Sequence, residues 1–118
     1  SLHTPLNKDT IGLVDHSFID RFKKPFVLIN TARGKSVILK DLIAALELGA
    51  IKGACLDVLE LELSSFEQVI NNDNSALSKL SNLSNVILSP HIAGWTFESK
   101  HKMAEFILEK VRNHFLTN

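Results

Sequence analysis

A chain of 118 residues that is 45% hydrophobic and 22% charged is large and apolar enough to bury one core, which excludes a disordered segment. Its 13 basic and 13 acidic residues cancel, so it lacks the broad positive field that attracts nucleic acid or an anionic membrane surface. No stretch approaches the ~20 apolar residues of a transmembrane helix, and the first residues lack the layout of a secretion signal. We therefore expect a soluble, cytoplasmic domain whose partner is a small molecule or another protein, with neither nucleic acid nor membrane as a partner.

The first half of the chain predicts a loop, a short helix, a strand and a longer helix, in that order. Residues 1–6 are typical of a strand end that passes into a loop, which indicates that an N-terminal portion is absent. A short helix capped by its first residue is expected from Asp15 to about Phe22, and an apolar strand over 26–30. Residues 38–48 have apolar positions at helical spacing, and Gly49 stands where a left-handed C-cap is expected.

The second half predicts two further strands and a long final helix. Residues 51–58 are apolar at nearly every position, as in a buried strand, and 85–88 form the last strand. Between them, residues 59–84 predict a long loop with one or two short helical turns. Thr96 can cap an amphipathic helix over about 97–115.

This order of elements predicts an α/β fold with a parallel sheet, namely the second half of a doubly wound, Rossmann-like domain of three layers, α/β/α. The glycine fingerprint G-x-G-x-x-G, which holds the pyrophosphate of a dinucleotide, is absent from the sequence. If the fold binds a dinucleotide, the chain therefore holds only the second half of that fold.

Side chains that can bind or react follow the predicted strands, at the point where each strand ends. Arg33 follows the first strand, Asp57 and Glu62 end or follow the second, and His91 follows the third. Because parallel strands separated by helices all point the same way, their carboxyl ends gather along the edge where open α/β sheets bind ligands. We therefore expect an arginine, two carboxylates and a histidine to meet at one site.

Each of these residues, taken alone, also has a plain structural interpretation. Arg33 can hold a carboxylate through two parallel hydrogen bonds, or it can pair with a surface acid. His91 can exchange a proton if Glu62 fixes its tautomer, or it can be an ordinary loop histidine. Asp57 can bind a ligand, or it can cap the loop that follows it.

The cysteine and the other histidines indicate neither a disulfide nor a metal site. Cys55 is the only cysteine and lies in an apolar run, so we expect a buried, unreactive thiol. The remaining histidines lack metal-ligand spacing and are interpreted as surface or packing residues: His3, His16, His101 and His114.

Four segments, in the right order and at the right relative spacing, resemble the D-isomer-specific 2-hydroxyacid dehydrogenases, a family that includes phosphoglycerate, glycerate and D-lactate dehydrogenases. They are Ile-Asn-Thr-Ala-Arg-Gly at 29–34, Ala-Ala-Leu-Glu-Leu-Gly at 44–49, Gly-Ala-Cys-Leu-Asp-Val at 53–58 with Glu62 beyond it, and Asn-Val-Ile-Leu-Ser-Pro-His-Ile-Ala-Gly at 85–94. The resemblance covers nearly the whole chain.

The resemblance implies NAD as the cofactor and a hydride transfer between the nicotinamide and C2 of a D-2-hydroxy or 2-keto acid. It implies that Arg33 holds the substrate carboxylate and carbonyl, that His91 is the acid and base, and that Glu62 is the partner of His91. Asp57 would bind the nicotinamide carboxamide. The cofactor-binding residues that it implies lie in several loops: His3, Thr4, Pro5, Thr31, Ala32, Asp57 and Gly94.

The resemblance also implies a division into domains, and the sequence departs from the family pattern in one segment. Residues 1–95 would form the C-terminal half of an NAD-binding domain, and 96–118 a helix that returns toward an absent substrate domain, in a homodimer. Leu63 stands where the family commonly has proline, and 63–83 departs from the common pattern, so substrate choice is not predicted. Trp95 either covers the active site or packs against other side chains.

A second hypothesis is that the chain, without a phosphate-binding half, is a non-catalytic fragment or an oligomerisation module.

Overall fold

Three parallel strands and four α-helices make up the part of the chain that the computed structural model describes, residues 1–59 and 74–115. In chain order the elements are α1 (His16–Asp20), β1 (Phe26–Asn30), a 3₁₀ turn (Gly34–Ser36), α2 (Leu39–Glu47), β2 (Ile51–Leu56), α3 (Asn74–Asn82), β3 (Val86–Leu88) and α4 (Phe97–Phe115).

The strands form one sheet in the order β1-β2-β3, and both pairs are parallel. Asn30 of β1 lies opposite Leu56 of β2, and Leu56 lies opposite Leu88 of β3, so the three carboxyl ends are level. Leu2 adds a single parallel bridge to Asn30 on the outer side of β1. The predicted α/β fold with a parallel, Rossmann-like sheet is confirmed.

Local capping places the helices that flank β1 where the sequence predicts them. A side-chain oxygen of Asp15, Oδ1, accepts the backbone N–H of Phe18 at 2.7 Å and so caps α1. α2 buries five apolar residues and ends before Gly49, whose φ of 75° is the left-handed conformation that glycine adopts at low cost.

One face of the sheet carries the core. Leu28, Ala54 and Leu56 point to this face and pack in one cluster with the buried side of α2 and with Leu80 of α3. Parallel strands are usually covered by helices on both faces of their sheet, and α2 and α3 cover this face.

The opposite face of the sheet is open within the described residues. Val27, Ile29 and Ile87 lie on it and are 54%, 40% and 65% exposed. Cys55, which pairs with Ile29 and Ile87 across the strands, is therefore only half-buried, although the sequence predicted a buried thiol. The helices that pack on the sheet form one layer. Residues 1–59 and 74–115 therefore form two of the three expected layers, the sheet and one helix layer, and not the helix layer on the opposite face.

The last helix, α4, buries none of its residues in this part of the chain. Thr96 caps it as predicted, since its Oγ1 accepts the N–H of Ser99 at 3.0 Å. Several of its apolar side chains, including Met103 and Ile107, are more than half exposed. No helix among the described residues is long and apolar enough to cross a membrane.

Two predicted elements, the helical turns before β3 and the end of β2, differ from the structure. A nine-residue helix, α3, stands at the end of the segment for which the sequence predicted only short helical turns, and Leu80 anchors it with no exposed surface. β2 ends at Leu56 and not at Val58, because the chain bends at Asp57. Residues 60–73, and Glu62 and Leu63 with them, lie outside the described residues.

Gly53 lies where β2 passes close to the segment that leads into β3. A Cβ on Gly53 would stand 2.8 Å from the backbone oxygen of Asn85, and that oxygen accepts the N–H of Ala54 at 3.0 Å. The clash therefore cannot be relieved without moving the strands. We expect Gly53→Ala to lower the free energy of unfolding by about 1–3 kcal/mol, as measured by urea denaturation.

Gly94→Ala is the matched control, because a Cβ on Gly94 would meet nothing within 4 Å. We expect this control to change the free energy of unfolding by less than about 0.5 kcal/mol. Equal losses in the two variants would show that the close approach of β2 and Asn85 does not limit the residue at position 53.

Candidate active site

The structure brings Arg33, Asp57 and His91 to one edge of the sheet. Arg33 is the third residue after β1, Asp57 the first after β2 and His91 the third after β3, and these strands end level with one another. Arg33 and His91 are exposed, whereas Asp57 is buried. Glu62, the fourth residue expected here, lies outside the described residues.

Asp57 binds the loop that carries His91 through its carboxylate. Oδ1 accepts the hydroxyl of Ser89 at 2.6 Å and the N–H of Ile92 at 2.9 Å, while Oδ2 accepts the N–H of Ala93 at 2.9 Å. Its exposed fraction is 3%. A buried carboxylate is costly unless it is hydrogen-bonded, and three donors meet that requirement here.

The ionisation of Asp57 follows from the same contacts. Burial raises the pKa of its carboxyl, but hydrogen bonds from Ser89, Ala93 and Ile92 and the charge of His91 lower it more, so the net pKa lies below the ordinary 3.8. The carboxylate is charged at neutral pH. Because the folded pKa is depressed, its stabilising contribution is present above the unfolded pKa and is lost as pH falls through the folded pKa.

The backbone of the same loop is bound to the end of β2 as well. Ser89 donates its N–H to the oxygen of Leu56 at 3.0 Å, and His91 donates its N–H to the backbone oxygen of Asp57 at 2.9 Å. Together with Ile92 and Ala93, every N–H between residues 89 and 93 therefore has an acceptor on Leu56 or Asp57, since Pro90 has none to donate.

His91 has a backbone conformation that few residues other than glycine adopt. Its φ is 57°, in the left-handed region, which costs on the order of 1–2 kcal/mol for a residue with a side chain. The hydrogen bonds on both sides of it offset this cost. Such a conformation, held by its surroundings, is typical of a residue whose side chain must point in one direction.

The loop that carries Arg33 is organised by Asn30, at the end of β1. The side chain of Asn30 accepts the N–H of Ala32 at 3.1 Å and donates to the backbone oxygen of Arg33 at 3.0 Å. Asn30 is 1% exposed. Its backbone oxygen accepts the N–H of Asp57 at 3.0 Å, so the end of β1 is also joined to the end of β2.

The guanidinium of Arg33 keeps most of its hydrogen-bonding capacity. Nη1 donates to the backbone oxygen of Ala32 at 2.6 Å. Arginine has five N–H donors, so within the described residues the edge formed by Nε and Nη2 retains the two parallel donors that match a carboxylate.

The other residues expected to bind a cofactor lie along the same edge. Leu2 donates its N–H to the oxygen of Ile29 at 2.9 Å, so the segment that follows it starts beside the end of β1. That segment is exposed, as are Thr31 and Gly94, whereas Ala32 is buried. The exposed members of this set are His3, Thr4, Pro5, Thr31 and Gly94.

Trp95 is exposed, and the described residues contain no candidate metal site. Trp95 is 74% exposed, so it is not part of the core of the described residues. Within residues 1–59 and 74–115, no three His, Cys, Asp or Glu side chains come together in a way that could hold a metal ion.

Two residues that organise the site had no assigned role in the sequence analysis. Asn30 belongs to one of the four recognised segments, and an asparagine at a strand end before a turn is a signal for side-chain hydrogen bonds to the next residues. Ser89 offers no comparable signal, because its partner Asp57 is 32 residues away in the sequence.

Comparison with known proteins shows the family to which the chain belongs. Residues 1–93 match the family model described as D-isomer specific 2-hydroxyacid dehydrogenase, NAD binding domain. The chain is 42% identical over 108 residues to a D-specific alpha-keto acid dehydrogenase of Enterococcus faecium, covering 89% of this chain and 34% of that protein. It is 43% identical over 105 residues to a glyoxylate reductase of Thermofilum pendens, covering 89% of this chain and 28% of that protein.

The solved structures agree with the sequence relatives. A D-lactate dehydrogenase with NAD+ from Lactobacillus jensenii superposes with a TM-score of 0.70 at 34% identity, covering 91% of this chain and 33% of that one. The chain thus spans about a third of the length of the relatives it matches. Since the family model covers residues 1–93, the predicted resemblance is confirmed: the chain belongs to the D-isomer-specific 2-hydroxyacid dehydrogenases, and residues 1–93 match their NAD binding domain.

Proposed function

We propose that a protein containing this chain transfers a hydride between NAD(H) and C2 of a D-2-hydroxy or 2-keto acid. One observation carries the proposal: exposed Arg33 and exposed His91 follow level strands of one sheet, so both can reach a small acid at its carboxyl edge. The dehydrogenase and reductase names of the relatives support the same reaction class.

The residues at this edge fit the nicotinamide end of NAD, the cofactor that this domain family binds. Among the described residues, Oδ2 of Asp57 accepts a single hydrogen bond, from Ala93, and a carboxylate oxygen can accept about two. One position on Oδ2 is therefore left for the amide of a nicotinamide. The exposed loops at residues 3–5 and at Thr31 and Gly94 would form the surroundings of the cofactor.

Bound NADH supplies the hydride that reduces C2. In that direction Arg33 holds the carboxylate of the 2-keto acid through two parallel hydrogen bonds, which orients C2 and excludes the reversed pose. Protonated His91 gives its proton to the former carbonyl oxygen, so the carbonyl gains one hydride and one proton and becomes a hydroxyl. In the oxidising direction neutral His91 takes this proton back.

Glu62 completes the proposal as the partner of His91. A carboxylate bonded to one ring nitrogen fixes the tautomer and favours the protonated imidazole. The further parts of the proposal are the division into residues 1–95 and 96–118, a homodimer, and a cytoplasmic location.

Substitution of His91 and of Arg33 separates the roles that we propose for the two residues. We expect His91→Ala to lower kcat by about 10²–10⁴-fold, because the proton donor is lost. We expect Arg33→Ala to lower kcat/KM by at least about 10²-fold, mostly through KM, because two charged hydrogen bonds are lost. The measurement is NADH absorbance with a panel of 2-keto acids, in a protein that carries this chain together with a substrate domain and a phosphate-binding half.

His114→Ala and Arg112→Ala are the matched controls, because both residues are exposed in the last turn of α4. They remove the same side chains far along the helix and should leave the rates unchanged. Full activity in both His91→Ala and Arg33→Ala would exclude the proposed assignment.

A second candidate is a self-associating module without catalysis. The open sheet face at Val27 and Ile87 and the exposed apolar side chains of α4 favour it, because such surfaces associate in water. Under this alternative the 118-residue chain alone sediments as a dimer or larger and shows no micromolar affinity for NADH in calorimetric titration. Micromolar binding of NADH by the chain alone would contradict the alternative.

A further inference from the structure

Ser89 provides the only side-chain hydrogen bond to the carboxylate of Asp57 among the described residues. Its hydroxyl donates to Oδ1 at 2.6 Å, a short distance that is typical of a charge-assisted bond. The other two donors to this carboxylate, Ile92 and Ala93, are backbone N–H groups that follow His91 in the chain. The carboxylate therefore accepts one hydrogen bond from a residue that precedes His91 in the chain and two from residues that follow it.

This arrangement fixes His91 from both directions. Before it, Ser89 is held by its N–H on Leu56 and by its hydroxyl on Asp57. After it, the two amides are held by the same carboxylate. His91 lies between these two attachments at a φ of 57°, a costly conformation that the attachments on both sides help to hold.

The hydroxyl of Ser89 also selects which carboxylate oxygen remains available. Oδ1 accepts two hydrogen bonds, from Ser89 and Ile92, and is saturated, whereas Oδ2 accepts one. Loss of the hydroxyl removes the shortest of the three hydrogen bonds and leaves the carboxylate held by the amides of Ile92 and Ala93, one on each oxygen. The carboxylate, and with it the loop that carries His91, is then held by one bond fewer on the side of residue 89.

We propose that Ser89 is a positioning residue for proton transfer by His91: acting through Asp57, its hydroxyl holds the His91 backbone in the left-handed conformation that presents the imidazole at the carboxyl edge. The inference rests on the proposed function. Arg33 is outside its reach, because Asn30 organises the loop of Arg33 separately. Ser89 should therefore affect the proton-transfer step and leave binding of the substrate carboxylate intact.

The test is a comparison of Ser89→Ala with Ser89→Thr in the complete enzyme, with NADH and the 2-keto acid of the panel, pyruvate included, that the wild-type enzyme reduces fastest. We expect Ser89→Ala to lower kcat by roughly 10–10²-fold with an unchanged KM for the keto acid, since small displacements of a catalytic group cost rate in this range. Ser89→Thr keeps the hydroxyl and is expected to restore kcat to within about threefold. This split between kcat and KM, with rescue by threonine, is not expected from a general loss of stability.

Two further variants complete the design. Ser81→Ala makes the same chemical change in α3, where the hydroxyl donates only to the oxygen of Ser78 at 3.0 Å, and it should leave kcat unchanged. Ser89→Cys keeps the side-chain volume but donates weakly, and it should reproduce the loss of kcat if Ser89→Ala does not fold.

The outcomes distinguish this inference from the proposed function. An inactive wild-type enzyme would reject the proposed function itself. An active wild-type enzyme in which Ser89→Ala and Ser89→Cys keep kcat within twofold, or in which threonine fails to rescue, would overturn the role of Ser89 and leave the function standing.

Discussion

The candidate site depends on the carboxylate of Asp57, which joins the end of β2 to the loop that follows β3. It is buried, it stays ionised at neutral pH, and its bonds to Ser89, Ile92 and Ala93 fix the position of His91. Hydrogen bonds to a charged group contribute about 1.5–3 kcal/mol each, which exceeds the cost of the left-handed conformation at His91. The chain can therefore keep a strained histidine at the sheet edge without a glycine there.

The two exposed residues of the site are supported by separate networks that meet at one bond. Asn30 holds the turn that carries Arg33, and Asp57 holds the loop that carries His91. The N–H of Asp57 donates to the oxygen of Asn30 at 3.0 Å and connects the two. The substrate binding that we propose for Arg33 and the proton transfer that we propose for His91 can therefore be perturbed one at a time, while the level ends of the strands position the two residues relative to each other.

The sequence predicts the parts of the fold that depend on local pattern. The apolar run before Asn30, the helical spacing that ends at Gly49, and the cap at Thr96 each signal their element within a few residues, and the structure contains all three. The prediction failed where contacts between distant parts of the chain decide. Cys55 looks buried in the sequence because apolar neighbours surround it, yet it lies on the open face of the sheet.

The interactions that shape the site were also beyond the reach of sequence patterns. The partners of Asp57 are 32 to 36 residues away, and no spacing rule connects them. The sequence left open whether Asp57 caps a loop or binds a ligand, and its three bonds to the His91 loop account for most of its hydrogen-bonding capacity.

The roles that we propose for Arg33 and His91 are tested most directly by a crystal structure of the complete enzyme with NADH and oxamate, an unreactive mimic of a 2-keto acid. We expect the oxamate carboxylate within about 3 Å of the guanidinium of Arg33 and its carbonyl oxygen within hydrogen-bond reach of the ring of His91. Oxamate bound away from both side chains, with the Asp57 network intact, would contradict these roles.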